Sequence, residues 1–180
     1  MRKDEQQILL GCLRNDRKAQ RALYEEYKVQ MFRLCLRYAR DRQEAEDLLQ
    51  EGFIAVFRDL KNYTGAGALG GWIRKVMVNN ALQHIRKTKY RFQSIDSVQL
   101  NEYEEITIDE EDQPRVKELT KCLQSLPDGY RTVFNLYVIE GYTHKEIAKV
   151  LSISESTSKS QLFKAKGMLR KLLEKSMISR

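Results

Sequence analysis

The sequence lacks the features of membrane, disulfide-bonded and metal-dependent proteins. No apolar run approaches the roughly 18 residues that a transmembrane helix needs, and the N-terminus MRKDEQQILL has no signal-peptide core. Cys12, Cys35 and Cys122 are isolated and odd in number, with no CxxC and no histidine pair at ligand spacing. We therefore expect a cytoplasmic chain with three buried thiols, no metal site and no cofactor.

Positive charge is missing from one internal segment. Residues 93–113 contain eight acidic and no basic side chains, whereas residues 1–92 contain 19 basic and 11 acidic, and residues 114–180 contain 13 basic and six acidic. Basic blocks attract nucleic acid, and an acidic segment is repelled by it. The pattern predicts two nucleic-acid-facing domains, residues 1–92 and 114–180, joined by an acidic linker over residues 93–113.

Alternation typical of β-strands is scarce, and apolar residues recur every three or four positions instead. The sequence therefore predicts an all-α fold of two small helical domains. Only two prolines occur, Pro114 and Pro127, both near predicted helix starts. The predicted helices cover residues 4–13, 16–40, 43–60, 71–90, 114–125, 128–140, 143–151 and 154–175, with Asp128, Thr143 and Ser154 as N-terminal caps.

The stretch SISESTSKSQLFKAK, residues 152–166, places serine at every second position from Ser152 to Ser160, yet it fits a helix. At about 100° per residue, one stripe collects Ser158 with the apolar side chains, and the opposite face is small, polar and basic. An amphipathic helix and a tight turn precede it, which predicts a helix-turn-helix whose second helix enters a major groove about 12 Å wide. The alternative is an ordinary amphipathic helix with a solvated serine and lysine face.

The segment EAEDLLQEGFIAVFRDL, residues 44–60, predicts a helix with carboxylates outside its apolar face. Glu44, Asp47 and Glu51 follow i, i+3, i+7 spacing. Paired carboxylates can perform acid–base or metal chemistry, but a stripe on one helix, without a histidine or a second ligand-bearing helix, indicates a solvated face. We expect no catalytic residue in this segment.

The segment WIRKVMVNNALQHIRKTKYR, residues 72–91, contains no acidic residue. Lysine and arginine follow phosphates, while Trp72 and the amide side chains suit unstacked bases; a core position for Trp72 is the alternative. The preceding GAGALG fits the GxGxxG pattern, but it follows a predicted helix rather than a strand, and a basic region lies about 20 residues on. We expect a flexible loop there, not a dinucleotide site.

These segments, in this order, resemble the extracytoplasmic-function sigma factors of bacterial RNA polymerase. The resemblance covers roughly residues 5–91 and 114–175, and residues 126–173 match the C-terminal pattern of the family. It implies three sets of contacts: core polymerase through Asp47, Leu48, Gln50, Glu51, Phe53 and Ile54; the minus-10 element through Trp72, Arg74, Lys75, Asn79, Asn80, Gln83, Arg86 and Lys87; and the minus-35 element through Thr143, Ser156, Thr157, Lys159, Ser160, Gln161, Phe163 and Lys164.

The chain departs from the family pattern at two places. Ser158 and Gln161 stand where relatives usually have an apolar residue and an arginine, so the minus-35 base preference is not carried over. Ala68, Leu69 and Gly70 stand where relatives commonly have a serine and an aromatic residue, in the loop that captures a flipped base. Base capture is therefore the expectation that this sequence supports least.

The resemblance implies a promoter-specificity subunit and not an enzyme. The expected partners are core RNA polymerase, promoter DNA as duplex and as opened strand, and an anti-sigma factor, with no membrane insertion. A free-standing helix-turn-helix regulator is the alternative, but it leaves the carboxylate helix and the acid-free basic helix unexplained. A nucleic-acid enzyme is a third possibility, for which the sequence offers no nucleophile, metal cluster or phosphate loop.

Overall fold

A computed structural model describes residues 3–92 and 114–178, and the acidic segment over residues 93–113 lies outside the described residues. Both described ranges are helical and contain no β-strand, which confirms the all-α expectation. The helices are α1 (Lys3–Leu13), α2 (Arg17–Tyr38), α3 (Arg42–Asp59), α4 (Leu69–Phe92), α5 (Pro114–Gln124), α6 (Asp128–Phe134), α7 (His144–Leu151) and α8 (Glu155–Ile178), with a 3₁₀ turn over Leu60–Asn62 and a π-helical turn over Asn135–Ile139.

The cap predictions have mixed outcomes. Thr143 caps α7 in a capping box with Glu146, and the Ser154 Oγ accepts a hydrogen bond from the Thr157 backbone N–H at 3.0 Å, as expected. The prediction for Asp128 is wrong. Pro127 is the N-cap residue of α6, and its ring has no acceptor for a side-chain cap. Asp128 is the first residue of the helix, and its carboxylate is bound by Arg131.

Residue contacts divide the described chain into two units, the first within Met1–Cys35 and Gln43–His84, the second within Leu36–Arg42 and Ile85–Arg180. The core of the first unit is built from one face each of α2, α3 and α4, including Leu23, Met31, Leu34, Leu48, Val56, Ile73 and Met77. A Cβ atom on Gly52 would collide with the Met77 Sδ, so glycine permits α3 and α4 to pack closely at this point.

The second unit is built around a cluster of Cys122, Leu123, Leu126, Ala165 and Leu169, from α5, α8 and the turn that follows α5. Arg131 lies beneath this turn and is only 2 % exposed. Its Nη1 donates to the Gln124 carbonyl at 3.0 Å, and its Nη2 lies 2.7 Å from the Asp128 Oδ1. A buried guanidinium with these partners fixes the α5–α6 connection, on which α8 packs.

Candidate nucleic-acid and protein interfaces

The outer side of α3 has an apolar centre with polar neighbours. Asp47, Gln50 and Glu51 are exposed, and Ile54 is 67 % exposed. Because Asp47, Gln50 and Ile54 follow i, i+3, i+7 spacing, they form one line along the helix. Among the described residues, Asp47 forms no hydrogen bond or ion pair. An exposed aliphatic side chain flanked by polar groups suits a protein partner, and we call these four residues the α3 face.

Leu48 and Phe53, which the resemblance placed among the polymerase contacts, do not belong to the α3 face. They are 2 % and 3 % exposed, and the Phe53 ring packs against the Tyr24 ring with centroids 4.7 Å apart. A partner cannot reach either side chain while the unit is folded. The structure therefore corrects this expectation: both residues hold α3 in place, because they lie on its apolar face.

His84 joins α4 to the carboxylates of α3, a contact that the sequence did not indicate. Its Nε2 lies 3.4 Å from the Glu44 Oε1, and its Nδ1 lies 3.6 Å from the Glu51 Oε2. Glu44 is half-buried and therefore does not share the fully solvated stripe expected for it. The contact joins two helices that are distant in sequence, so no local pattern could have revealed it.

The exposed side of α4 carries a continuous stripe of basic and amide side chains. Its members are all exposed: Lys75, Asn79 and Gln83 follow at spacings of four, and Arg86 and Lys87 lie three and four residues after Gln83, so all five share one side of the helix. No acidic residue interrupts the helix, since Leu69–Phe92 contains none. This side of α4 therefore presents positive charge and amide groups to solvent. Such groups can bind the phosphates and the bases of a nucleic-acid strand.

The three remaining residues expected at the minus-10 element are only partly accessible. Trp72 is half-buried and its ring lies against Tyr63, with centroids 5.7 Å apart. Asn80 is half-buried beside the stripe. Arg74 is also half-buried, and it shares its side of α4 with the buried Val78 and Ala81, four and seven positions further on. Arg74 therefore lies towards the packed side of the helix, and its contact with the minus-10 element stays a prediction.

The loop before α4 is held by a tyrosine. The Tyr63 hydroxyl donates to the Gly67 carbonyl at 2.7 Å, and Gly65 and Gly67 have φ values of 79° and 112°, which favour glycine. Two of the residues that depart from the family pattern face inward. Leu69 is fully buried, and a Cβ on Gly70 would lie 2.9 Å from the Tyr27 Cε1.

The α7–turn–α8 segment has the helix-turn-helix geometry that the sequence predicts. The Glu146 Oε2 accepts a hydrogen bond from the Thr143 backbone N–H at 2.8 Å, and this bond lowers the pKa of Glu146. Ser152 adopts a left-handed conformation with φ 54° and ends α7, after which Ser154 begins α8. Local hydrogen bonds therefore fix both ends of the turn.

The exposed face of α8 contains five of the residues expected at the minus-35 element, Ser156, Lys159, Ser160, Phe163 and Lys164. Phe163 is 80 % exposed, which is high for a phenylalanine. The Lys164 Nζ lies 6.0 Å from the Tyr130 ring centroid, within range of a cation–π contact. We call these five residues the α8 face.

Thr143, Thr157 and Gln161 have structural contacts, and only the cap formed by Thr143 was predicted from the sequence. Thr143 caps α7, and the Thr157 Oγ1 lies 2.8 Å from the Ser154 Oγ in the cap of α8. A Cβ on Gly129 would lie 3.2 Å from the Gln161 Nε2, so this amide packs against α6. Gln161 is half-buried, and its contact with the minus-35 element stays a prediction.

The described residues show no group of three or more histidine, cysteine or acidic side chains that could hold a metal ion. Within the same ranges, no helix is long and apolar enough to span a bilayer. Cys12, Cys35 and Cys122 are buried, as expected. Burial, reinforced by Asp16 and by Glu118 respectively, raises the pKa of Cys12 and that of Cys122, so these two thiols stay protonated at neutral pH.

Comparison with known proteins gives two family matches. Sigma-70 region 2 matches residues 23–91, which contain α3 and α4 as far as Arg91. Sigma-70, region 4 matches residues 117–169, which contain α7, the turn and α8 as far as Leu169. The ECF RNA polymerase sigma factor SigM of Bacillus subtilis is 30% identical over 151 residues, which is 83% of this chain and 92% of that protein. The RNA polymerase sigma-H factor of Pseudomonas aeruginosa is 28% identical over 181 residues, 94% of each chain.

A solved structure is also similar. The sigma factor RpoE of Bartonella quintana, in complex with the anti-sigma factor NepR, matches with a TM-score of 0.54 at 19% identity, covering 85% of this chain and 97% of that one. At this identity the likeness concerns the fold alone.

Proposed function

The chain belongs to the extracytoplasmic-function sigma factors of the sigma-70 family, and from this premise we propose how its residues serve promoter recognition. As a promoter-specificity subunit, the chain binds core RNA polymerase and directs transcription initiation at minus-35/minus-10 promoters. The observation that carries the residue-level proposal is the presence, in one chain, of the α3 face, the acid-free stripe on α4 and the capped helix-turn-helix.

The α3 face is the docking surface for core polymerase in this proposal. Ile54 supplies the apolar contact, and Asp47 and Glu51 supply negative charge for a basic partner, since complementary charge speeds and orders an encounter. Leu48 and Phe53 act from beneath by fixing the helix.

The stripe on α4 holds the minus-10 element as an opened strand. Lys75, Arg86 and Lys87 lie along the phosphates, and Asn79 and Gln83 meet base edges between them. Trp72 stands at the start of the helix and is half-buried, so the accessible part of its ring can contact an unstacked base. The α8 face enters the major groove of the minus-35 element, with Ser156 and Ser160 near bases and Lys159 and Lys164 at phosphates.

Energetics explain why such a chain works only with its polymerase. Opening about ten base-pair steps costs on the order of 14 kcal/mol at roughly 1.4 kcal/mol per step. Stacking returns only about 1–3 kcal/mol per captured base. The free protein is therefore expected to leave promoter DNA closed and the holoenzyme to open it, as measured by permanganate reactivity of thymines. Reactive thymines in the presence of the free protein would contradict this assignment.

The alternative, a free-standing helix-turn-helix regulator, is not favoured by the family matches. A pull-down with core polymerase distinguishes a sigma factor from a regulator. A regulator binds its operator DNA tightly without a partner and does not bind core polymerase. Retention of the chain by immobilised core enzyme, with weak and salt-sensitive DNA binding by the free chain, is the expected result. Tight operator binding without retention would support the regulator.

Regulation and location follow the same premise. The sigma factor of Bartonella quintana is bound by an anti-sigma factor in its solved structure, and we propose that an anti-sigma factor also covers the α3 face or the α8 face of this chain. Sigma factors are regulatory subunits, and we propose a cytoplasmic protein that has no catalytic activity of its own.

A further inference from the structure

The recognition helix α8 contains a polar side chain at a position where the family pattern is apolar. Ser158 is 0 % exposed and lies one turn before the buried Leu162 on the packed side of the helix. A buried hydroxyl without a hydrogen-bond partner is destabilising, so a serine here needs a partner inside the unit.

That partner is His144, the first residue of α7. Its Nδ1 lies 2.9 Å from the Ser158 Oγ. On its other side the imidazole stacks on the Tyr137 ring, with centroids 4.4 Å apart and planes inclined by 22°. Tyr137 belongs to the π-helical turn before α7, so the imidazole is held between two elements of the unit. We call Tyr137, His144 and Ser158 the polar clasp.

We propose that His144 is a positioning residue of the helix-turn-helix, which fixes the first half of α8 against α7 by binding the buried Ser158 hydroxyl. In the described part of the chain, no other group binds this hydroxyl. A hydroxyl can donate or accept, so the bond persists with either neutral tautomer of the imidazole. At this position a directional hydrogen bond from Ser158 takes the place of apolar packing. Stacking on the Tyr137 ring fixes the orientation of the imidazole that forms this bond.

The proposed clasp affects promoter recognition because it lies within one helical turn of Ser156, Lys159 and Ser160. A rotation or tilt of this part of α8 would move these groups relative to the groove, and hydrogen bonds to bases tolerate little displacement. This consequence rests on the proposed function, whereas the clasp itself does not.

A double-mutant cycle in the full chain tests the clasp. His144→Leu places an apolar side chain of similar size beside the Ser158 hydroxyl and removes the Nδ1 atom that binds it. Amide hydrogen exchange of α8 reports the local opening equilibrium. His144→Leu is expected to lower the protection of α8 about tenfold, because the hydroxyl is buried unpaired. Adding Ser158→Ala should restore protection to within about threefold of wild type, since replacing both partners by apolar groups is nearly neutral.

Ser125→Ala is the matched control, because Ser125 follows α5 directly and its hydroxyl donates only to the Lys121 carbonyl in the last turn of that helix, at 3.0 Å. Its effect on exchange should be the same in both His144 backgrounds. If Ser158→Ala likewise has the same effect in both backgrounds, the cycle is additive and the clasp is refuted. A merely structural role of either side chain would give that additive result.

A second readout uses holoenzyme on a promoter duplex recovered by run-off transcription and on the same duplex with a scrambled minus-35 element. His144→Leu should lower the ratio of the two affinities about tenfold, and the double variant should recover it to within about threefold. If wild-type holoenzyme yields no promoter, the proposed function fails, and the exchange cycle still decides the clasp. If a promoter is found but the ratio does not change in His144→Leu, the role in recognition is refuted.

Discussion

Reversing the charge of Asp47 tests the α3 face with little disturbance of the fold. The side chain is exposed and forms no hydrogen bond or ion pair among the described residues. Surface substitutions of this kind usually change the free energy of unfolding by less than about 0.5 kcal/mol. Glu51 is a poorer choice, because its carboxylate lies 3.6 Å from the His84 Nδ1, and a lysine there would also disturb α4.

The expected loss of binding follows from the change of sign. A pair of unit charges about 4 Å apart is worth between about 1 and 4 kcal/mol as the effective dielectric constant falls from about 80 to 20. Asp47→Lys replaces an attraction to a basic partner with a repulsion, so we expect a loss of about 3 kcal/mol. This corresponds to core binding weakened on the order of 100-fold.

The assay is a titration of fluorescently labelled full chain with core polymerase, followed by anisotropy. Glu174→Lys is the matched control, since it makes the same charge change at an exposed position of α8 outside the α8 face. The control should bind core within about twofold of wild type. Equal affinities for wild type and Asp47→Lys, with normal helicity of the variant, would refute the assignment of the α3 face.

Three further predictions concern the second unit. Lys164→Ala should weaken promoter binding and reduce the slope of log affinity against log salt by about one, because one phosphate contact is lost; titrations at several salt concentrations that give an unchanged slope would contradict it. The hydrogen bonds from Thr143 lower the pKa of Glu146 from its ordinary value of 4.5 in the folded chain. The ionised carboxylate therefore stabilises the start of α7 fully above pH 4.5, and this stabilisation is lost as the pH falls through the lower pKa of the folded state. Amide exchange in α7 measured against pH should show this loss. Glu146→Gln cannot ionise and should abolish the pH dependence, and a variant that keeps the same dependence would show that another group causes it. Arg131→Met should destabilise the unit by about 3 kcal/mol, because it breaks the pair with Asp128 and leaves buried carbonyls unpaired. If calorimetry shows that Arg131→Met lowers the free energy of unfolding by less than about 1 kcal/mol, the stabilising role of Arg131 is contradicted.

Features set by local periodicity and capping were predictable from the sequence. The stripe of Leu162, Ala165 and Leu169 on α8 is buried as its spacing predicts, and Thr143 caps α7 as its position before the helix predicts. Helix propensity, periodicity and caps depend on neighbours within a few residues, so they are present in the sequence itself.

Contacts between distant segments were not predictable in this way. The His84 contacts with α3 and the His144 contact with Ser158 depend on how helices pack, which no local pattern contains. For the same reason, the resemblance grouped buried Leu48 with exposed Asp47 as docking residues, although they project from different sides of one helix. A motif names positions, and only packing decides which of them reach the surface.

Run-off transcription on a library of genomic fragments tests the central claim most directly. Core polymerase supplemented with this chain is expected to start at a set of sites that core alone does not use, and the sites should share minus-35 and minus-10 elements. Asp47→Lys should remove these starts, and Glu174→Lys should retain them. An unchanged set of transcripts with and without the chain would contradict the account.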